Sequence, residues 1–341
     1  MKVRNSANQT ARTLQTHKRP GVLLASAVLI LIVTGSGFAG AAHFINDLTY
    51  PESGQLLDPG SVTCDSHTGE IFVTDTRGQR VVIFDRQGRY AFDFGDPDHL
   101  PGLRQVAADS LGRIYVLRGA PDVTLSVFDY NGDYLHDLRL TKPGTDSLLT
   151  VNSILMDEQD RLFVLTVLPP HIYVYNTAGE TLNDFAIFTD PADSVLANQP
   201  GYGTMALVNH MLVIPVPFVA GVARYTTDGK YVDTFGLVGG GPGELSFPVA
   251  ATGDKDGHIM VLDKHRHTVL QYGADGRFMC EAGGKGQTPG WFFHPTSLAC
   301  NQQGNLIVAQ TYMGRIQTVS MTDPQANEAA LNTAKPADVS K

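Results

Sequence analysis

One pattern recurs six times along this 341-residue chain, and no other feature limits its fold so strongly. A short apolar strand leads into a D-x-x-G type turn and a second apolar strand. A variable turn, a third strand and a further glycine turn then lead to a fourth strand. The first unit reads Pro59-Gly-Ser-Val-Thr-Cys-Asp65, Thr68-Gly69, Ile71-Phe-Val-Thr-Asp75, Arg80-Val-Val-Ile-Phe-Asp85 and Gly88. The second has Val106 to Asp109, Gly112 to Val116, Leu125 to Asp129 and Asn131-Gly132. Blade-like units three and four are more degenerate, around Ile154 to Asp157 and Met205 to Val208. Units five and six are clear again, from Val249 to Asp254 and from Pro295 to Asn301. The glycines before the fourth strands fall at 88, 132, 179, 229 and 276, in steps of 44, 47, 50 and 47. A period in the forties with four strands per unit describes a β-propeller blade.

One blade cannot bury both of its faces, so the units must stack into a ring. The sixth copy stops after its third strand, near Ser320, and the segment from Ala42 to Tyr50 has no blade of its own. We therefore expect that segment to supply the missing fourth strand and close the ring, which removes open sheet edges. The expected fold is an all-β six-bladed propeller with four-stranded antiparallel blades over residues 43–320, preceded by one hydrophobic helix. The Ala- and Asn-rich stretch 321–341 carries no strand pattern and reads as a disordered tail.

Charge is unevenly placed. Five of the 25 basic residues and none of the 34 acidic ones lie within residues 1–42, so the rest of the chain carries a net of −14. Phosphate backbones are bound through clustered Lys and Arg, so nucleic acid is not an expected partner. Residues 1–20 form a basic leader. Residues 21–42 contain no charge, and 22 helical residues rise about 33 Å, enough to cross a hydrocarbon core. The basic flank before them and Asp47, Glu52 and Asp58 after them point the N-terminus into the cytoplasm and the propeller outside. Two fates are open: an uncleaved single-pass anchor in the cell membrane, or a signal peptide cut near Ala39-Gly-Ala41 that releases a secreted domain. The membrane contact expected is through residues 21–42.

The pattern P-x-x-h-x-x-D…G-x-h-h-V-x-D…R-V-x-h-F-D-x-x-G resembles the NHL repeat. The connectors Gly239-Gly-Gly-Pro-Gly-Glu-Leu-Ser-Phe-Pro248 and Gly283 to Pro295 are similar to the inter-blade loops of that family in its bacterial, extracytoplasmic form. The resemblance covers roughly residues 44–320. It implies a six-bladed propeller and leaves function open, because such propellers serve both as binding platforms and as enzymes.

Blade topology sorts the side chains between two faces. The D-x-x-G face collects Asp65, Asp85, Asp109, Asp129, Asp157, Glu158, Asp160, Asp228, Asp254, Asp256 and Asp275, which read as turn chemistry. The opposite face carries the hairpins between second and third strands and the inter-blade connectors. There, blades five, six and one place basic groups: His265, Arg266, His267, Lys285, His294, Arg315, Arg77 and Arg80. Blades three and four place apolar turns: Val167-Leu168-Pro169-Pro170 and Pro215-Val-Pro217-Phe218-Val219. Neighbouring apolar turns suit a protein-interaction patch. Trp291, beside Phe292 and Phe293, is expected to pack over the closing blade, His265 and His267 to be solvated, and the three cysteines to be core thiols.

The family resemblance also implies an enzymatic alternative, since relatives include lyases and lactonases with a metal at the channel mouth. In amidating lyases of this type, metal-ligating His residues begin the inner strands. The corresponding positions here are Asp58, Gly102, Thr150, Tyr202, Phe247 and His294, with one His among them. A catalytic zinc generally takes three converging protein ligands. No H-E-x-x-H, G-x-S-x-G, phosphate-binding Gly-Lys loop or C-x-x-C-H occurs. We therefore expect no resident cofactor or metal, and a non-catalytic scaffold with a protein partner. The alternative is a metal-dependent lyase or lactonase using Asp58, Arg104, Asn152 and His294.

Overall fold

The computed structural model describes residues 41–51, 54–96, 98–119, 124–188, 194–198 and 201–322. Within them the chain forms six four-stranded antiparallel sheets. Five occupy residues 59–95, 103–139, 151–186, 206–235 and 248–283. The sixth comprises Ser297–Cys300, Leu306–Gln310, Arg315–Thr322 and the early strand Ala41–Asp47. Ala41–Asp47 lies antiparallel to Arg315–Thr322, with Ala41 opposite Thr322 and Asp47 opposite Gln317. The leader and hydrophobic segment expected over residues 1–40, and the tail 323–341, lie outside the described residues. Among the described residues no helix is long and apolar enough to cross a membrane.

The second strand of each blade reads as an unbroken apolar run because both of its faces are buried. Successive side chains point to opposite faces, so Val73 enters the core against blade six while Phe72 enters the core against blade two. Val164 and Phe163 divide in the same way between blades two and four. Six apolar clusters result, one at each junction between consecutive blades.

The outer rim shows why glycine recurs before each fourth strand. Gly132 adopts φ +85°, and a Cβ there would sit 2.4 Å from the ring of Phe94 on the preceding blade. The next blades repeat this with Leu138 against Gly179, Phe185 against Gly229 and Phe235 against Gly276. At Gly88 the packing partner is Leu48, one residue beyond the Ala41–Asp47 strand. That segment thus stands toward blade one as each outer strand stands toward its successor.

Side chains on the inner strands stitch neighbouring blades together along the central channel. Ser297 Oγ accepts the Val62 N–H (3.1 Å), Thr63 Oγ1 donates to the Val106 carbonyl (2.9 Å), and Gln105 exchanges two bonds with Ile154 (2.8 and 2.9 Å). Ser153 Oγ accepts the Met205 N–H at 3.3 Å. The polar residues of the inner strands are therefore largely architectural.

All three cysteines are free thiols. Cys280, on the fourth strand of blade five, is fully buried. Cys64 and Cys300 are half-buried on adjacent inner strands, and burial pushes both thiols up, Cys300 to about 12.

Candidate interaction face

On the D-x-x-G face the carboxylates are consumed locally. Asp109 Oδ1 accepts the N–H groups of Leu111 and Arg113, and Oδ2 takes Arg113 Nε at 2.6 Å. Asp157 does the same with Gln159 and Arg161, Asp85 with Gln87 and Arg89, and Asp254 with Asp256 and His258. Burial alone would raise the Asp85 carboxyl, but the Arg89 and Gln87 hydrogen bonds outweigh it and hold the group below its ordinary range. Asp160 takes the left-handed position that glycine fills elsewhere (φ +58°) and binds Ser110 across the blade junction at 2.7 Å. Among the described residues, Asp254, Asp256 and His258 form a group whose ligand atoms approach within 4.8 Å of one another. Asp254 is already engaged by three hydrogen bonds within its own turn.

The opposite face separates the expected site residues into two kinds. Most of the basic ones are structural. Arg80 pairs with buried Asp75 (3.0 Å) and lies 3.9 Å above the Tyr50 ring. Arg266 pairs with Glu281 (2.6 Å), and Arg315 clamps Asp47 (2.8 and 3.1 Å) while donating to the Gln287 carbonyl. Arg77 is exposed. His265 is exposed yet stacked on Phe247 at 4.5 Å.

His267, expected to be solvated, is instead buried at 6% exposure, with φ +59°. Its Nδ1 accepts the backbone N–H of His294 (3.0 Å), and the two rings meet edge to face at 5.0 Å. Burial is the main force lowering the His267 pKa, reinforced by His294, Lys285 and His265. His294 itself takes φ +48° and also contacts Phe293 and Tyr312. Of the aromatic cluster, Phe292 is a core plug, whereas Trp291 rests against Gly284 and Gly286 and remains 49% exposed.

The apolar turns are presented to solvent. Leu168 is 76% exposed and Phe218 70%, flanked by Pro169 and Pro217, with a cis bond between Leu168 and Pro169. Val167 and Val219 turn inward onto the same blade three–blade four core, so both loops rise from one junction. Pro217–Val219 forms a short 3-10 turn, and Pro170 starts the third strand of its blade. Sequence reasoning missed three further members of this sector. Val195 lies on the connector helix Ser194–Ala197, and Leu237 and Val238 follow blade four; all three exceed 60% exposure. Their signal, apolar residues within connectors, was present but masked by the degeneracy of these blades.

The residues of the enzymatic alternative are largely occupied with structure. Asn152 Nδ2 donates to the Tyr202 carbonyl (3.1 Å), while Asp58 engages Asp75 only through its backbone N–H (2.8 Å). Arg104 donates to the carbonyls of Val151 (3.0 Å) and Asn152 (3.4 Å). Arg104 and Asn152 share a cleft of about 170 Å³ at this mouth of the channel; Asp58 and His294 are not among its lining residues. The far end of the channel opens as a cavity of about 570 Å³, bordered by Cys64, Met156, Asp157 and Cys300.

No protein-family model matches the chain. The repeat register, the six closed-up blades and one partial sequence match together decide its type. That match is to Protein brain tumor of Drosophila melanogaster, 25% identical over 137 residues, or 39% of this chain. The chain is a six-bladed β-propeller whose repeats resemble the NHL pattern. The match spans 13% of the Drosophila protein's length. Among solved structures, this propeller superposes on a streptogramin B lyase with a TM-score of 0.56 and 13% identity, covering 82% of this chain and 98% of the other. A gluconolactonase of Xanthomonas campestris gives a TM-score of 0.57 at 14% identity, covering 83% and 98%. At such identities the likeness extends to the fold alone.

Proposed function

We propose that this propeller is a non-catalytic scaffold that docks a protein partner on the hairpin-and-connector face over blades three to five. The observation that carries the reading is the exposed apolar sector of Leu168, Val195, Phe218, Leu237 and Val238. Contiguous exposed apolar surface on a soluble domain marks interaction sites. The Arg104 and Asn152 side chains near the channel mouth support the same reading, since both bridge to the next blade. On this reading the domain sits outside the cytoplasmic membrane, tethered through residues 21–42, as the charge asymmetry around that segment suggests.

The test is photo-crosslinking from position 237 in membranes, compared between the otherwise native chain and a Leu168→Ser/Phe218→Ser variant of unchanged thermal stability. A discrete partner adduct that needs the native turns supports the reading; an unchanged adduct pattern in the double variant refutes it.

A second reading, a metal-dependent lyase or lactonase, is favoured by the paired His267 and His294 beside the channel mouth and by the descriptions of the structural neighbours. Stoichiometric zinc or calcium in the purified protein, lost in His294→Ala, would establish it over the scaffold.

A further inference from the structure

The cleft at the hairpin-side mouth of the channel has an unusual balance of charge and hydrogen-bonding groups. Its only charged lining residue is Arg104, and no acidic residue borders it. Eight arginines elsewhere face a carboxylate: Arg80, Arg89, Arg113, Arg118, Arg161, Arg224, Arg266 and Arg315. Among the described residues Arg104 has no such partner. Its two bonds to the Val151 and Asn152 carbonyls hold the guanidinium at the rim. A guanidinium carries five N–H donors, so three remain to receive an acceptor.

Hydroxyl groups face the same space. Ser61 is 7% exposed and lines the cleft; its backbone N–H is taken by Thr74, while its hydroxyl has no protein partner among the described residues. Ser297, 2% exposed, uses its oxygen to accept the Val62 N–H, which leaves its hydroxyl proton to donate. Thr204 completes the wall. The Ser61 hydroxyl opens onto the cleft and is free to donate there. An isolated cation with hydroxyl donors suits an oxyanion, and the planar guanidinium fork matches a carboxylate in particular.

The cleft, of about 170 Å³, has room for a carboxylate with its nearest carbons. We propose that this mouth of the channel is a binding pocket for a single carboxylate group, with Arg104 as the charged anchor and Ser61 and Ser297 as hydroxyl donors. The pocket goes beyond the scaffold reading, because it needs neither the apolar turns nor a protein partner.

The experiment titrates the purified full chain with acetate, triglycine and triglycine amide, followed by calorimetry and by NMR shifts. Acetate and triglycine bind, and triglycine amide does not. Tighter binding of triglycine assigns the pocket to a polypeptide terminus; equal or tighter binding of acetate assigns it to a free small acid. Arg104→Gln weakens binding about tenfold or more, as expected for one charge-assisted pair. Ser61→Ala weakens it about threefold, and Arg77→Gln leaves it unchanged. Should Arg104→Gln fail to fold, Arg104→Lys serves instead: it keeps the charge, loses the fork, and is expected to bind more weakly. Equal binding of triglycine and its amide, undiminished binding in the Arg104 variant, or no binding of either acid at tens of millimolar overturns the proposal. Leu168→Ser/Phe218→Ser retains carboxylate binding, so failure of the docking surface and failure of the pocket are read separately.

Discussion

Blades five and three part company at the end of the second strand, and that position bears on how their loops are held. In blade five this residue is Asp263, fully buried, whose carboxylate accepts the N–H groups of Ser246, Phe247, His265 and Arg266 at 2.6–3.0 Å. Asp75 serves blade one through Leu57, Asp58, Gly78 and Arg80, and Gln310 serves blade six through Phe293. In blade three the equivalent residue is Thr166, whose hydroxyl donates to the Pro169 and His171 carbonyls of its own hairpin, and in blade four it is Val216. Where a carboxylate gathers the connector's N–H groups, the loop becomes part of the frame and its basic residues are drawn into ion pairs. Where threonine or valine stands, that carboxylate is lacking; Val167 and Val219 pack the base of the turn, and its tip carries Leu168 or Phe218 into solvent. Residue type at one buried position thus separates scaffold from candidate binding surface.

The most severe way to break this contrast is Asp263→Ala, which converts a tied connector into an untied one. It strands four backbone donors, and we expect a loss of about 3–5 kcal/mol in urea unfolding. Unchanged stability would mean that the connectors are held by packing in every blade. Next in size, Gly132→Ala probes the rim common to all blades. Its positive φ and the approach of Phe94 should cost about 2–3 kcal/mol.

A smaller effect concerns His267, which ties blade five to the connector of blade six. Its folded pKa is depressed by burial, so the unfolded chain binds a proton first as pH falls. Stability from this group is therefore complete above the ordinary His value of about 6.5 and declines as pH drops from there towards the folded pKa. Thermal midpoints of the wild type should fall over that window relative to His267→Gln. Matching pH profiles would sink the argument. Smallest of all, Leu168→Ser/Phe218→Ser should alter stability by less than about 0.5 kcal/mol while removing partner crosslinking. A large destabilisation there would show that these side chains serve the core.

Much of the frame was legible beforehand because it is written locally and repeated. Turn carboxylates such as Asp109 bind groups two and four residues ahead, and the strand alternation of Phe72 and Val73 needs only the pleat. The chemistry of the loops was less legible. Arg80, Arg266 and Arg315 stand in the sequence as free cations, yet each is spent on a carboxylate, Arg315 on one 268 residues away. His267 reads as a surface turn residue and is buried because the next blade's connector folds across it. Only the apolar turns of blades three and four behave as their sequence suggests, since Leu168 and Phe218 meet no polar anchor.

From the sequence alone came the number of repeats, the strands within each, the turns that glycine must occupy and the two classes of loop. These follow from periodicity and turn chemistry, which act over a few residues. Only the tertiary structure decided which charges remain available, which histidine is buried, and that Arg104, Ser61 and Ser297 line one cleft. Those outcomes depend on contacts between blades, and ring stacking brings together groups that no local pattern connects.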